Sequence, residues 1–214
     1  MLLYPSLMAA DPLTLAATIT QLEPYCAGFH LDTMDGHLVP NIIGGPAWIN
    51  AIAHYTQKSV WVHLMVTDPL SIIKKLALKP TSMIDFQVEA PVDHNQLLIT
   101  IQKLGHKAGI SIAPQTPLSH VEPLLKHCDY ITIMGVNPGF AGQKYIPETT
   151  HRIEQLYAHK KEHNLNFFIT CDGGITESLI PSLAEHGISH AAIGSALFNA
   201  NDPVAWLTKN GAQY

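Results

Sequence analysis

His30-Leu31-Asp32-Thr33-Met34 places an imidazole, a carboxylate and a thioether at every second residue. In an extended chain those three share one face. His63-Leu64-Met65 repeats the imidazole and the thioether at the same spacing, and Phe168-Ile169-Thr170-Cys171-Asp172 brings a second carboxylate to the end of another apolar run. A buried His beside an Asp costs free energy unless something satisfies both, and a core His–Asp hydrogen bond is the simplest solution. Four such groups allow another. His30, Asp32, His63 and Asp172 offer two nitrogen and two oxygen ligands to one divalent ion, a mixed set that suits Zn²⁺, Fe²⁺, Mn²⁺ or Co²⁺ alike.

Glycine-rich pieces stand after three of the apolar runs. They are Asn137-Pro138-Gly139-Phe140-Ala141-Gly142-Gln143, Gly173-Gly174 and Gly194-Ser195-Ala196. Glycines often do no more than make turns. Collected at loop and helix starts, their N–H groups also form a phosphate cradle. Met34, Met65 and Met134 lie at ends of runs where an apolar lining would exclude water above a metal, whereas Met8 reads as core packing. Asp35, one residue from the shared face and beside Gly36, reads as a turn or capping residue and not as a catalytic acid.

The elements that must position these groups alternate along the chain. Strands are predicted at Leu3–Met8, Gly28–Met34, Val60–Val66, Met83–Val88, Ala108–Ala113, Tyr130–Val136, Phe167–Cys171 and Ala191–Ile193. Helices are predicted at Pro12–Tyr25, Pro46–Tyr55, Pro69–Leu78, Asn95–Leu104, Leu118–Lys126, Pro147–His163, Glu177–His186 and Pro203–Thr208. Asp11-Pro12, Asp68-Pro69 and Asp202-Pro203 are three copies of one helix-start signal. Strand-then-helix alternation argues a parallel sheet, and eight units suggest a closed (β/α)8 TIM barrel, with an open doubly wound sheet as the competing arrangement. The barrel is preferred because it converges the chemical residues on one mouth. No linker or composition shift interrupts the alternation, so one domain over 1–214 is expected.

Composition narrows the function classes. Of the 214 residues 47% are apolar and only 14% charged, which fits a packed core. The net charge of −5, with 12 Lys and Arg in no long run, argues against a nucleic-acid partner. No segment approaches the roughly 18 apolar residues of a membrane span. The N-terminus has no basic stretch leading into an apolar one, so no signal peptide is expected. Cys26, Cys128 and Cys171 are scattered and odd in number, as reduced thiols of a cytoplasmic protein would be. His94, His120, His127, His159 and His163 lie in polar, helix-like surroundings and are expected in solvent.

Several ordered motifs together resemble the ribulose-phosphate 3-epimerase family over nearly the whole length. They are Pro5-Ser6-Leu7-Met8-Ala9-Ala10-Asp11, the run from His30 to Asn41, Val62-His63-Leu64-Met65-Val66, Val136 to Gln143, Asp172-Gly173-Gly174-Ile175 and Gly194-Ser195-Ala196-Leu197-Phe198. The resemblance implies a phosphate-binding barrel that interconverts D-ribulose 5-phosphate and D-xylulose 5-phosphate, a step of the pentose phosphate pathway. It implies one divalent metal ion held by His30, Asp32, His63 and Asp172, with Asp32 and Asp172 as the acid–base pair. It further implies substrate contacts from Ser6, His63 and Asp172. Phosphate-side contacts are implied from Gly139, Phe140, Ala141, Gly142, Gly173, Gly174, Gly194 and Ser195, and the oligomeric state implied is a homo-oligomer. The chemistry is consistent with these roles. Epimerisation at C3 beside a C2 ketone removes a proton from one face and returns it to the other, and a metal-stabilised 2,3-enediolate lies between.

Four positions depart from the resembled pattern. Gln87 stands where His is usual, Ala113 where Asn is common, Gly135 where Ser is common and Ala141 where Gly is common. None is a proposed ligand or proton carrier. Some motifs also resemble the allulose-6-phosphate 3-epimerase branch, whose sugar is one carbon longer. A lyase of the related decarboxylase barrels would need an Asp-x-Lys-x-x-Asp run on a strand, and His30-Leu31-Asp32 is not followed by one. A non-catalytic sugar-phosphate-binding barrel would not need all four ligands.

Overall fold

A computed structural model of the chain describes residues 1–211. The end of the expected 1–214 span therefore lies outside the described residues. The elements follow in the order β1 (Leu2–Pro5), α1 (Leu15–Leu22), β2 (Gly28–Asp35), β3 (Ile42–Ile43), α2 (Pro46–Tyr55), β4 (Ser59–Met65), α3 (Pro69–Ile73), β5 (Met83–Gln87), α4 (His94–Lys103) and β6 (Lys107–Ile112). Then come β7 (Tyr130–Met134), α5 (Glu148–Glu162), β8 (Phe168–Asp172), α6 (Ile180–Glu185), β9 (Ile188–Ile193), α7 (Ser195–Phe198) and α8 (Pro203–Asn210).

Eight of the strands run parallel in the order β1-β9-β8-β7-β6-β5-β4-β2. A parallel bridge between Ser6 and His30 joins β1 to β2 and closes the ring. The fold is the TIM barrel expected, and the open sheet is not observed. Strand β3, which was not expected, adds an antiparallel edge to β2 through Met34–Ile43 and Asp35–Ile42.

The period of two sorts each strand between two environments. Leu31, Val62, Ile84, Ile110, Ile131, Ile169 and Ala191 are fully buried under the helices, with Ile49, Ile73, Leu98, Ile153, Leu183 and Leu207 packed on them. The alternate residues fill the barrel. Toward the N-terminal end of the barrel they are Tyr4, Trp61, Met83 and Tyr130, with Phe168 beside them. Further along come Asp85, Thr132 and Thr170, and beyond them His30, Asp32, His63, Gln87 and Asp172, all buried.

Helix boundaries show where local chemistry departs from expectation. Asp68 accepts from Ser71 N, and Asp202 from Val204 N and Ala205 N, as capping residues do. Asp11 does not cap a helix. Its Oδ1 accepts from Leu13 N in a turn, and α1 starts at Leu15 with Thr14 before it. Helix α1 also ends early, in a 3-10 turn at Glu23–Tyr25 that contains Pro24. The helix expected at Leu118–Lys126 is two 3-10 turns, Leu118–His120 and Glu122–Leu124. Pro123 removes an N–H there that a continuous α-helix would need. Strand β1 stops at Pro5, and Leu7–Ala9 turns as 3-10 helix, so Met8 lies on a turn and not on a strand. His94 is half-buried rather than solvated: it stacks on Phe86 with centroids 6.0 Å apart, and its Nε2 is 2.8 Å from Val88 O. His159 is likewise half-buried and stacks on His163 at 4.1 Å.

Candidate active site

The mouth formed by the C-terminal ends of the strands holds a cavity of about 310 Å³. Strand β2 delivers Asp32 and Met34 to it, β4 Met65, β7 Met134 and β8 Asp172, each from an inward-facing position. Ser6 reaches it from the end of β1.

At the floor of the cavity Asp32 and Asp172 converge with His30 and His63 from beneath it. One ligand atom from each lies within 4.8 Å of every other. His30 Nδ1 is 3.3 Å from Asp32 Oδ2 and His30 Nε2 is 3.8 Å from Asp172 Oδ2. His63 Nδ1 is 3.2 Å from Asp172 Oδ2 and 3.5 Å from Asp32 Oδ1. Four ligands about 2.1 Å from one ion stand about 3.4 Å apart in a tetrahedron. The observed spacing fits that requirement. So does the chemistry of His30, whose two ring nitrogens are both buried and have no hydrogen-bond partner.

The cluster is arranged to hold positive charge. Burial works against charging His30, but the Asp32 and Asp172 carboxylates outweigh it and raise its pKa above the ordinary value. Burial likewise opposes charge on His63, yet the Asp85 carboxylate and the hydrogen bonds to Asp172 and Asp32 hold it well above the ordinary value. Against the same opposition from burial, the neighbouring His30 draws Asp32 far below the usual carboxylate range. Ser6 Oγ donates to Asp32 Oδ2 at 2.9 Å, which fixes that carboxylate.

Exposure separates the four residues. His30 and His63 are 0% exposed, whereas Asp32 and Asp172 keep 4% and 9% and line the cavity. The expected direct contact of His63 with substrate is therefore not what the structure offers. Its Nδ1 faces the two carboxylates and its Nε2 lies 3.1 Å from Gln87 Nε2, all below the floor.

Gly139, Phe140, Ala141 and Gly142 line one wall, with Gly173, Gly174, Gly194 and Ser195. At Gly174, with φ +69°, a Cβ would run into the backbone of Tyr145, so only glycine lets the chain turn there. Among the described residues lining the cavity none is Lys or Arg. An anion would be held by backbone N–H groups and the Ser195 hydroxyl. Phe140, 53% exposed, stands at the rim.

The residues singled out from sequence are thus brought to one place, and some others join them. Met8 lines the cavity and packs with Met34, Met65 and Val39, which corrects its assignment to the core alone. Asn137, from the glycine-rich piece after β7, also lines it, as do Thr176 and Asn199, which nothing in their local sequence marks. Asn41 Nδ2 donates to Gly139 O at 2.7 Å and ties the loop after β2 to the loop after β7. Asp35 is the turn residue expected. It accepts from His37 N, Leu38 N, Thr67 N and Thr67 Oγ1 and does not line the cavity. Gly135 has a packing reason, because a Cβ at that position would collide with the carbonyl oxygen of Gly173.

Comparison with known proteins agrees with this geometry. Residues 2–198 match the model of the ribulose-phosphate 3 epimerase family. The chain is 38% identical to a ribulose-phosphate 3-epimerase of Synechocystis sp., covering 92% of this chain and 86% of that one. It is 34% identical to a ribulose-phosphate 3-epimerase of Treponema pallidum, covering 92% and 91%. Among solved structures, 3-hexulose-6-phosphate synthase from Salmonella typhimurium superposes with a TM-score of 0.68 at 15% identity, covering 99% of this chain and 97% of that one, a likeness of fold. With the family match running from β1 into α7, the chain belongs to the ribulose-phosphate 3-epimerase family.

Proposed function

We propose that the protein is a metal-dependent epimerase that interconverts D-ribulose 5-phosphate and D-xylulose 5-phosphate by moving a proton at C3. The observation that carries this reading is the split in exposure within the four-residue cluster. Two carboxylates reach the cavity and two imidazoles do not. Asp32 comes from β2 and Asp172 from β8, with β1 and β9 between them on the shorter way round the barrel. They face the cavity from different sides. Asp32 takes the C3 proton from one face of the sugar, Asp172 delivers one to the other, and the reverse reaction exchanges the roles. Ser6 keeps Asp32 in place during the transfer.

His30, Asp32, His63 and Asp172 would hold a divalent ion, which would supply positive charge to stabilise the anion formed beside the ketone. Zn²⁺, Fe²⁺, Mn²⁺ and Co²⁺ all suit the donor set. Met34, Met65 and Met134 keep water from the reacting carbons and lower the local dielectric. Gly139 to Gly142, Gly173, Gly174, Gly194 and Ser195 receive the phosphate.

A coupled epimerase assay after chelation and metal add-back tests the reading. Activity on D-ribulose 5-phosphate is expected to vanish on chelation and return with one of the four ions. A much higher rate on allulose 6-phosphate would contradict the pentulose assignment. We further infer one barrel domain, a cytoplasmic location and a homo-oligomer. Three free, buried cysteines support the location. Light scattering in solution checks the oligomer. Among the described residues no helix is long and apolar enough to cross a membrane.

A further inference from the structure

Gln87 ends β5 with its side chain 1% exposed inside the barrel. Its carboxamide is the hydrogen-bonding neighbour of one side of the His63 ring: Gln87 Nε2 lies 3.1 Å from His63 Nε2. The other side of that ring, Nδ1, faces Asp172 and Asp32. Gln87 Oε1 is buried without a partner, and so is the hydroxyl of Ser111, which pairs with Gln87 in register on β6. An unpaired buried carbonyl of this kind is costly, because it has lost its water and gained nothing in exchange.

Chemistry decides which end of the amide belongs against the ring. An imidazole that gives its Nδ1 lone pair to a cation carries its proton on Nε2, and that N–H needs an acceptor. An amide nitrogen cannot accept. Turning the carboxamide by half a rotation exchanges its ends and brings Oε1 to the Nε2–H, with the amide nitrogen taking the former place of the orphaned oxygen. A carboxylate in the same place would also accept, but it would add charge beside the already buried Asp85. A glutamine supplies the acceptor without the charge.

We propose that Gln87 is a positioning residue for the metal centre, whose carbonyl oxygen accepts from His63 Nε2–H and so fixes the tautomer that presents Nδ1 to a divalent ion. The proposal rests on His63 being a ligand. It is tested on the full chain loaded with Zn²⁺ and labelled with ¹⁵N at histidine, by long-range proton–nitrogen NMR and by competition with a chelator. The wild type is expected to show His63 protonated at Nε2, with that proton protected from exchange. Gln87→Leu is expected to lose the protection and to bind Zn²⁺ about 10–100-fold more weakly. Gln87→Glu, which keeps an acceptor, is expected to retain the Nε2–H tautomer. Wild-type His63 protonated at Nδ1 in the Zn²⁺ form would overturn the proposal. So would Gln87→Leu with unchanged Zn²⁺ affinity and a protected Nε2–H. If Gln87→Leu does not fold, the wild-type spectrum still decides. A failure of the underlying site reading looks different, because His63→Ala would then bind Zn²⁺ as tightly as the wild type.

Discussion

The two ends of this barrel are built from the same strands and do opposite things. At the N-terminal end the inward positions carry rings. Tyr4 meets Trp61 edge to face at 5.6 Å, Trp61 meets Tyr130 at 6.2 Å, and Tyr130, Phe168 and His190 stack in sequence at 5.2 and 4.6 Å. At the C-terminal end the inward positions carry carboxylates, imidazoles and thioethers below glycine loops, and a cavity remains. Asp85 joins the two ends. Its oxygens accept from Trp61 Nε1 at 2.8 Å and Thr132 Oγ1 at 2.6 Å, while its charge bears on His63. Filling one end with aromatic area provides stability, which leaves the other free to hold buried polar groups that would otherwise be costly.

The sharpest way to break this division is to alter each end separately. Asp172→Asn is expected to lower turnover about 10³-fold while the thermal midpoint stays close to the wild type, since the side chain lines a cavity rather than a packed core. Steady-state kinetics beside a melting curve checks both. A large loss of stability with normal turnover in the folded fraction would reverse the assignment of that end.

Met83→Ala, at the aromatic end, should show the opposite pattern. Removing a buried methionine costs about 2–5 kcal/mol, read by urea unfolding, with kcat unchanged in the protein that remains folded. A fall in kcat without a fall in stability would mean that the ends are coupled more tightly than the packing implies.

His190 gives the aromatic end its own pH response. Burial first, then Lys107 and the N-terminal amine, lower its pKa from 6.5 to about 4. Below 6.5 the unfolded chain takes up a proton that the folded chain refuses until about pH 4. Stability is therefore expected to fall as pH drops through that window and to level off below it, by on the order of 1–3 kcal/mol. Unfolding curves across the window should lose this component in His190→Leu, and an unchanged slope in that variant would rule out His190 as its source.

Asp35→Asn is the smallest and most diagnostic change. It lies three residues from Asp32, yet it binds only the turn and Thr67. A loss of about 1–2 kcal/mol is expected, with kcat within about threefold of wild type. A drop as deep as that of Asp172→Asn would make acidity at the mouth, and not position on β2, the controlling property.

Position was legible in the sequence because a parallel strand has a strict period. His30, Asp32 and Met34 could be put on one face from spacing alone, as could His63 with Met65. The ends of β2, β4 and β8 then had to meet once the ring closed. What was not legible depends on pairing between distant strands or on breaks within helices. Asp85 looks like an ordinary polar residue of one short strand, and Gln87 like no more than a departure from the resembled pattern, until β4 is laid beside β5 and places His63 opposite Asp85. Met8 left the strand because Leu7–Ala9 turns as a 3-10 helix, and Pro123 divided a segment whose apolar spacing alone reads as one helix. Asn41 reaches Gly139 across 98 residues of chain, a contact that no local pattern encodes.

The central claim is that Asp32 and Asp172 serve opposite faces of one carbon above a ligand set that includes them both. Deuterium exchange at C3 in ²H₂O, followed by NMR with metal-loaded Asp32→Asn and Asp172→Asn, tests it most directly. Each variant is expected to exchange the C3 proton of one epimer, a different one for each, and neither to interconvert the two sugars at an appreciable rate. Interconversion at a near-normal rate by either variant, or exchange of the same epimer by both, would contradict the account.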